Sequence, residues 1–349
     1  VNLRMAHYAK APCLLIGDID RGGVFAALAG TMLLLEPEER RQIAGFLINK
    51  FRGDPSLLGD GLKMLQEKAY GVPSLGLIPY LPDLQIAEED AVALERPERE
   101  VRKNDKTQID IAVLHLPRIS NFDEFDALVA EPRVRLRYVN RAEDLSVPNA
   151  IILPGTKATL HDLRWLRETG LDRAISQALA KEAEVVGVCG GYQMLGERLC
   201  DPEGIESAPG SETRGLGLLP VETVFKPGKQ THQVRLRLPD GDVLTGYEIH
   251  SGETRLLPGA ISLGEMTERS GQPVQAIGGA RRLDGRVWGT YLHDIFTNNA
   301  FRFRWLRKLG WTGTGRDARE MREAEYDRLA DAVEASVDLE KILQILHQK

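Results

Sequence analysis

The chain has 349 residues, a formal net charge of −6 at pH 7, 42% hydrophobic residues and 28% charged residues. This is the composition of an ordinary globular protein with room for two domains, and its acidic balance argues against nucleic acid or an anionic membrane as a partner. No apolar run reaches the length of a membrane span, and the seven histidines and three cysteines show no metal-ligand spacing, so we expect neither membrane insertion nor a metal site. The few cysteines, odd in number, favour a reducing, cytoplasmic setting.

Residues 1–95 alternate between short apolar runs and helical patterns. The runs at 12–18, 43–48 and 73–79 predict buried parallel strands, and helices are predicted over 24–35 and 57–70. Residue 1 is valine, and the first ten residues have the pattern of the end of an amphipathic element. We therefore expect this first domain to lack sequence upstream.

A charged segment with few apolar residues follows, and we interpret residues 96–107 as a linker. Residues 108–301 then predict a second α/β domain. Its strands are expected at 109–116, 135–139, 150–153 and 185–188, with helices over 160–166 and 171–181. After residue 199, short alternating runs predict mixed or antiparallel strands, and residues 302–349 predict a C-terminal helical segment with helices at 301–309 and 318–347.

The most informative segment is the apolar run 185–188 that leads into Cys189. Glycine stands two residues before and two residues after this cysteine, and a helical pattern follows. This arrangement is typical of a nucleophile elbow, in which Gly187 and Gly191 relieve crowding at a sharp strand-to-helix turn. The helix dipole there favours thiolate over thiol. The alternative is a small buried cysteine at a strand end, which does not require the two glycines.

A cysteine nucleophile needs a base, and two histidines compete for that role. His293 follows the strand predicted at 287–291, and His250, in the segment 246–252, competes on similar grounds. Functional side chains of open α/β sheets lie at strand ends, although a lone histidine is more often a structural residue. The residues alone leave both candidates open.

Two glycines are candidates for an oxyanion hole. The N–H of Gly190 follows the nucleophile directly, and Gly155 lies in a turn that closes a neighbouring predicted strand. Preorganised N–H donors of this kind stabilise a tetrahedral intermediate. The alternative for Gly155 is a tight strand-to-helix turn without such a role.

Several motifs, in this order, resemble class I glutamine amidotransferases of the cobyric acid synthase type. The resemblance covers the chain from its first residues to about residue 310. The motifs are DIDRGGVF at 18–25, GFLINKFRGD at 45–54, PRISNF at 117–122, LPGTK at 153–157, GVCGGYQMLG at 187–196, YEIH at 247–250 and GTYLH at 289–293.

The resemblance implies a fold and a reaction. The expected fold is a truncated dethiobiotin-synthetase-like P-loop NTPase domain with a parallel sheet, followed by a class I glutaminase α/β domain with a flavodoxin-like mixed sheet. His293 would be the catalytic histidine, and Cys189 would hydrolyse glutamine through a thioester. With ATP and Mg²⁺, the released ammonia would amidate the b, d, e and g carboxylates of adenosylcobyrinic acid a,c-diamide, a corrinoid, in cobalamin biosynthesis.

Two positions and one missing motif depart from the pattern that the resemblance implies. Many class I glutaminases carry Glu two residues after the histidine, where this chain has Ile295, and Asp294 stands where the family usually has glycine. No Gly-x-x-x-x-Gly-Lys-Ser/Thr phosphate loop occurs in the chain. Asp18 and Asp20 remain candidates for Mg²⁺ or substrate and Asn49 for a nucleobase, and turn or capping roles are the alternative.

Two other hypotheses therefore stay open. The chain could serve another acceptor, as a cobyrinic acid a,c-diamide synthase or a cell-wall lipid amidotransferase does. It could also be a non-catalytic fragment that pairs with a separate ATP-binding chain. The oligomeric state is not predicted by any of these features.

Overall fold

A computed structural model describes residues 2–82, 84, 86 and 108–347. The chain divides into two compact units, Val1–Ile86 with Glu320–Lys349, and Ala87–Arg319. The predicted linker at 96–107 lies outside the described residues. Among the helices that are described, none is both long enough and apolar enough to cross a bilayer.

The regular elements alternate along most of the chain. In chain order the α-helices run over Asn2–Ala9 (α1), Val24–Leu34 (α2), Pro37–Arg40 (α3), Gly61–Lys68 (α4), Asp126–Val129 (α5), Ala142–Leu145 (α6), Thr159–Glu168 (α7), Leu171–Ala180 (α8), Gly190–Leu195 (α9), Asn299–Lys308 (α10), Ala318–Ser336 (α11) and Leu339–His347 (α12). The strands run over Cys13–Asp18 (β1), Ile43–Phe51 (β2), Ser74–Pro79 (β3), Ile109–Leu114 (β4), Val134–Val139 (β5), Ala150–Leu153 (β6), Glu184–Val188 (β7), Arg198–Asp201 (β8), Ser211–Arg214 (β9), Val221–Val224 (β10), Gln230–Arg237 (β11), Val243–His250 (β12), Glu253–Leu256 (β13), Ala260–Ser262 (β14), Glu265–Arg269 (β15), Gln272–Ile277 (β16), Ala280–Arg282 (β17) and Val287–Thr290 (β18).

The first unit contains a parallel sheet in the order β1-β2-β3. Val24, Leu28 and Met32 recur every four residues on α2, so they form one apolar stripe. This stripe packs against Phe46 and Ile48 of β2 and is buried with them. The three strands and the helix α2 lie where the apolar runs predict them.

The C-terminal helices α11 and α12 belong to this first unit, whereas α10 belongs to the second. The sequence-based division groups all three in one segment, 302–349, and predicts one helix over 318–347. The helix instead ends at Ser336, because Val337 pairs with Gly76 and the N–H of Asp338 donates to the Leu75 carbonyl at 2.7 Å. A backbone N–H used by a strand is lost to the helix.

The second unit is built on a seven-stranded mixed sheet in the order β14-β17-β18-β7-β6-β4-β5. The five strands from β18 to β5 are parallel. Strand β17 is antiparallel to them, and β14, which is antiparallel to β17, runs in the same direction as the five. Alternate residues of β7 enter different cores: Val185 packs with α7 and α8, and Val186 packs on the other face with Trp288 and Trp305. Both faces are therefore covered, and two four-stranded sheets, β13-β10-β8-β9 and β12-β11-β15-β16, complete the unit.

This topology places the candidate residues together. Parallel strands β6, β7 and β18 end side by side, and Gly155, Cys189 and His293 follow those ends. Ligands of open α/β sheets bind at this edge, outside the carboxyl ends of the strands.

Candidate functional site

Cys189 occupies a strained backbone position between β7 and α9. Its φ of 52° and ψ of −111° lie in a region that residues with a side chain rarely adopt. A β-carbon at Gly187 would lie 2.7 Å from the backbone N of Tyr192, and one at Gly191 would lie 1.9 Å from the Leu153 carbonyl oxygen. Only glycine fits at both positions, as the elbow interpretation predicts.

The thiol of Cys189 is nearly buried but has a polar neighbour. The side chain is 7% exposed, and Sγ donates to the Ile249 carbonyl at 3.4 Å. The Cys189 N–H donates to the Thr290 carbonyl at 2.9 Å, which ties the nucleophile to the end of β18.

The His293 imidazole lies at the same end of the sheet, and one of its two ring nitrogens has a hydrogen-bond partner. Nδ1 faces Glu124 Oε1 at 3.3 Å, and Nε2 is buried with no hydrogen-bond partner among the described residues. Burial alone would lower the pKa of His293, but the charge of Glu124, the proximity of the Cys189 thiol and the contact with the Glu124 carboxylate raise it to about 10. The imidazole is therefore held protonated beside the thiol.

Glu124 is the residue that sequence reasoning missed. It lies in the 3₁₀ turn Phe122–Phe125, is 2% exposed, and burial raises its pKa despite the nearby imidazole. The usual position for an orienting carboxylate is taken by Ile295, which is fully buried in the core with Phe125 and Phe296. The one local signal was an acidic residue beside the core residue Phe125.

Two side chains hold His293 from its other sides. Tyr247 stacks on the imidazole with 4.9 Å between ring centroids, and the Tyr247 carbonyl accepts the His293 N–H at 2.8 Å. Asn121 Nδ2 donates to the Tyr247 hydroxyl at 2.6 Å and lies 3.4 Å from His293 Nδ1. The imidazole thus has a defined orientation.

His250, the competing candidate, is part of a different cluster. Its ring stacks on Tyr291 at 3.7 Å between centroids. Nδ1 lies 3.0 Å from the Gly252 carbonyl and Nε2 lies 3.4 Å from Glu248, which is itself paired with Arg269. Both ring nitrogens already have partners, so neither is available to take a proton from the thiol and His250 has a structural role.

Gly155 and Gly190 both lie against the nucleophile. A β-carbon at Gly155 would lie 3.2 Å from His293 Cε1 and 3.7 Å from Cys189 Cβ, and one at Gly190 would lie 2.7 Å from Thr156 Cγ2. The Gly155 carbonyl accepts from Ser120, while the Gly155 N–H donates to no residue that the structure describes. The backbone can therefore approach a ligand here, as an oxyanion donor must.

Asp18, Asp20 and Asn49 lie in the first unit, at the carboxyl ends of β1 and β2. Asp18 pairs with Lys50 at 2.9 Å, and Asp20 pairs with Arg52 at 3.0 Å. Hydrogen bonds from those cations lower the pKa of both carboxyls. Asn49 Oδ1 accepts the Lys50 N–H at 2.8 Å.

These side chains do not fit a magnesium site as they stand, because the charge of each carboxylate is already neutralised by a cation. Across the described ranges, no group of three or more His, Cys, Asp or Glu residues is placed to hold a metal ion. No step is therefore assigned to a metal or nucleotide at these residues.

Comparison with known proteins identifies the domain family of the second unit. Residues 110–301 match the family of CobB/CobQ-like glutamine amidotransferase domains. The second unit accordingly has the α/β fold of a class I glutamine amidotransferase, with mixed and parallel sheets, which confirms the fold class predicted for it.

Relatives that match nearly the whole chain identify a more specific family. The chain is 50% identical over 341 residues to the cobyric acid synthase of Roseiflexus castenholzii, covering 97% of this chain and 67% of that protein. It is 47% identical to the cobyric acid synthase of Chloroflexus aurantiacus, covering 97% and 68%. The chain belongs to the cobyric acid synthase family and spans about two thirds of the length of these relatives.

A solved glutamine amidotransferase structure also aligns. Its TM-score is 0.42 at 21% identity, covering 57% of this chain and 97% of that one.

Proposed function

We propose that the chain hydrolyses glutamine at Cys189 and supplies the ammonia for amide formation on a corrinoid, as a cobyric acid synthase. The observation that carries the proposal is the row Cys189, His293 and Glu124, drawn from three separate segments and meeting at one sheet edge. A nucleophile, a base and a carboxylate that orients the base are the minimum set for covalent acyl transfer.

The chemistry follows from the positions of the groups. His293 holds the thiol proton, and the thiolate of Cys189 attacks the side-chain amide carbon of glutamine. The imidazolium then gives its proton to the leaving nitrogen, which departs as ammonia and leaves a thioester. Water, deprotonated by His293, cleaves the thioester to glutamate and restores the thiol. The negative charge of Glu124 keeps the imidazolium favourable in each cycle.

The tetrahedral intermediates carry a negative oxygen, for which we propose Gly155 and Gly190 as N–H donors. The absent side chains leave room for the amide carbonyl of the substrate beside Cys189 Cβ. Donors fixed before the reaction need no rearrangement as charge develops.

Release of glutamate from glutamine by the purified chain tests the proposal. Cys189→Ala should lower the rate by at least about 10³-fold, because no other described thiol lies in this site. Cys200→Ala is the matched control, since Cys200 is a half-buried free thiol on β8. Equal rates for wild type and Cys189→Ala would contradict the nucleophile assignment.

For the first unit we propose that residues 1–95 are the C-terminal part of an ATP-dependent synthetase domain, with 96–107 as a linker. The parallel order β1-β2-β3 and the greater length of the relatives support this. ATP and Mg²⁺ would supply carboxylate activation, and phosphate-binding groups beyond Asp18, Asp20 and Asn49 would be needed to hold them. We also propose a cytoplasmic setting, because the three cysteines stand free.

A further inference from the structure

A short antiparallel pairing joins two motifs beside the site. Ile119 bridges Thr156, with the Ser120 N–H donating to the Gly155 carbonyl at 2.9 Å and the Lys157 N–H donating to the Arg118 carbonyl at 3.0 Å. This pattern sets Ser120 opposite Gly155 and Arg118 opposite Lys157.

The two faces of this pairing differ. Side chains alternate along each strand, so Ile119 and Thr156 lie on one face, where Ile119 is 7% exposed. On the other face, the Gly155 β-carbon position is 3.1 Å from Ser120 Oγ, 3.2 Å from His293 Cε1 and 3.7 Å from Cys189 Cβ. Arg118 and Lys157 stand two residues along from Ser120 and Gly155, on the face that carries the nucleophile and the base.

The two cations lie opposite each other at the surface. Both side chains are exposed, and the neighbouring Asp162 carboxylate accepts from the backbone N–H of Arg118, not from its guanidinium. Like charges directly opposite each other in a pairing are unfavourable. The neighbouring Asp162 is fully buried and accepts from the Arg118 N–H, the Thr156 hydroxyl and His161, so it is already engaged. This pairing therefore presents two positive charges that an anion would relieve.

We propose that Arg118 and Lys157 bind the α-carboxylate of the substrate glutamine; the inference rests on the proposed function. One two-residue step along a strand is about 6.6 Å. A glutamine whose amide carbon lies between Cys189 and Gly155 extends its α-carboxylate over a comparable distance, toward the two cations. Arg118 suits a planar carboxylate through paired N–H donors, and Lys157 adds a point charge.

The subsite gives the enzyme a way to select its substrate. A neutral amide would reach the thiol but leave the two cations unpaired, whereas glutamine would neutralise them. Asparagine would place its carboxylate one carbon short of them. Binding energy from this remote group would fix the amide carbon against Cys189.

The experiment compares glutamine with its α-carboxamide derivative, which lacks the negative charge, in the full 349-residue chain. Arg118→Gln and Lys157→Gln should each lower kcat/KM for glutamine by about tenfold or more, mainly through KM, because a charged hydrogen bond is lost. Neither change should lower kcat/KM for the carboxamide, and the double variant should show no preference between the two substrates. Lys181→Gln is the charge-matched control, since Lys181 precedes β7 at the opposite edge of the sheet.

Covalent labelling of Cys189 separates recognition from folding. A diazoketone analogue of glutamine carries the α-carboxylate and alkylates the thiolate with loss of N₂ and uptake of one proton. Iodoacetamide carries no carboxylate, and the thiolate displaces iodide from it. The two variants should react more slowly with the first reagent and at the wild-type rate with the second.

Two outcomes would overturn the subsite. One is wild-type glutamine preference in the double variant, and the other is an equal loss with both substrates and both reagents, which indicates a structural role. A wild-type chain that neither hydrolyses glutamine nor reacts with its analogue would instead contradict the proposed function itself.

Discussion

At the residue scale, the chemistry of His293 depends on a carboxylate distant in sequence. Glu124 and His293 are both about 1% exposed at their side chains, so their charges interact with little screening by solvent. Neither would be stable as an isolated charge at that depth. The pair explains how a buried imidazole remains protonated next to a thiol.

Glu124→Gln should remove the charge that raises the pKa of His293. We expect that pKa to fall from about 10, because the charge of Glu124 is lost and only Cys189 then opposes the effect of burial. Glutamine hydrolysis should fall by about 10²-fold or more. NMR titration of the ¹³C-labelled His293 ring measures the shift, and an unchanged pKa would contradict the charge interaction between Glu124 and His293.

The same pair predicts a pH dependence of stability. The pKa of His293 is higher folded, about 10, than the unfolded value near ~6.5, so its stabilisation is complete below pH ~6.5 and is lost as pH rises through 10. The stability difference between wild type and Glu124→Gln should therefore shrink across this range. Chemical denaturation at several pH values checks this, and a difference that grows with pH would contradict it.

Asp294 is a second informative residue, because it adopts φ 61° and ψ 20°, the left-handed region. Asp294→Gly should relieve strain of about 1 kcal/mol, and its lost charge should lower the pKa of Glu124, which Asp294 raises. Asp294→Asn removes only the charge and so separates the two effects. Thermal unfolding of both variants is the measurement, and a stability loss larger in glycine than in asparagine would contradict the strain argument.

At the element scale, the β7–α9 turn works because strand and helix approach within backbone contact. The Gly191 position faces the Leu153 carbonyl, and the Gly187 position faces the first turn of α9. The turn therefore needs glycine for close packing, while the positive φ falls on Cys189 itself. This division leaves the nucleophile as the strained residue.

Gly191→Ala should destabilise the second unit by about 1–3 kcal/mol and displace Cys189, because the carbonyl of β6 cannot move away. Slower alkylation of Cys189 and a lower unfolding midpoint are the expected results. Gly30→Ala on α2 is the control, since nothing lies within 4 Å of its β-carbon position. That change should stabilise by about 0.5–1 kcal/mol. Equal effects of the two substitutions would contradict the packing argument.

At the scale of the whole molecule, each unit has its own buried clusters. In the first unit, Leu75 and Ile78 of β3 pack against Ile342 and Ile345 of α12. Chain ends far apart in sequence thus complete one sheet face. The division explains why 302–349 is not one structural segment.

Ile342→Asp combined with Ile345→Asp should cost more than about 2 kcal/mol in the first unit, because two partly buried apolar side chains that pack against β3 become charged. Hydrogen exchange should then increase in β2 and β3 while β6 and β7 keep their protection. Leu343→Asp is the control, as Leu343 is 53% exposed. Equal loss of protection in both units would mean that they unfold as one.

The sequence by itself determined the parallel strands of both α/β regions, the elbow at Cys189 and its glycines, and the family. These are local signals: an apolar run, a turn that needs glycine, and motifs in order. The P-loop origin of residues 1–95 and the roles of Asp18, Asp20 and Asn49 stay predictions.

Only the tertiary structure decided what surrounds the nucleophile. Glu124 lies next to His293, and both ring nitrogens of His250 have other partners. Arg118 lies opposite Lys157, and helices α11 and α12 belong to the first unit. The physical reason is that hydrogen bonds and charge pairs act through space. Residues far apart in the chain meet only after β-sheet order and helix packing set their positions, and no local pattern records that distance.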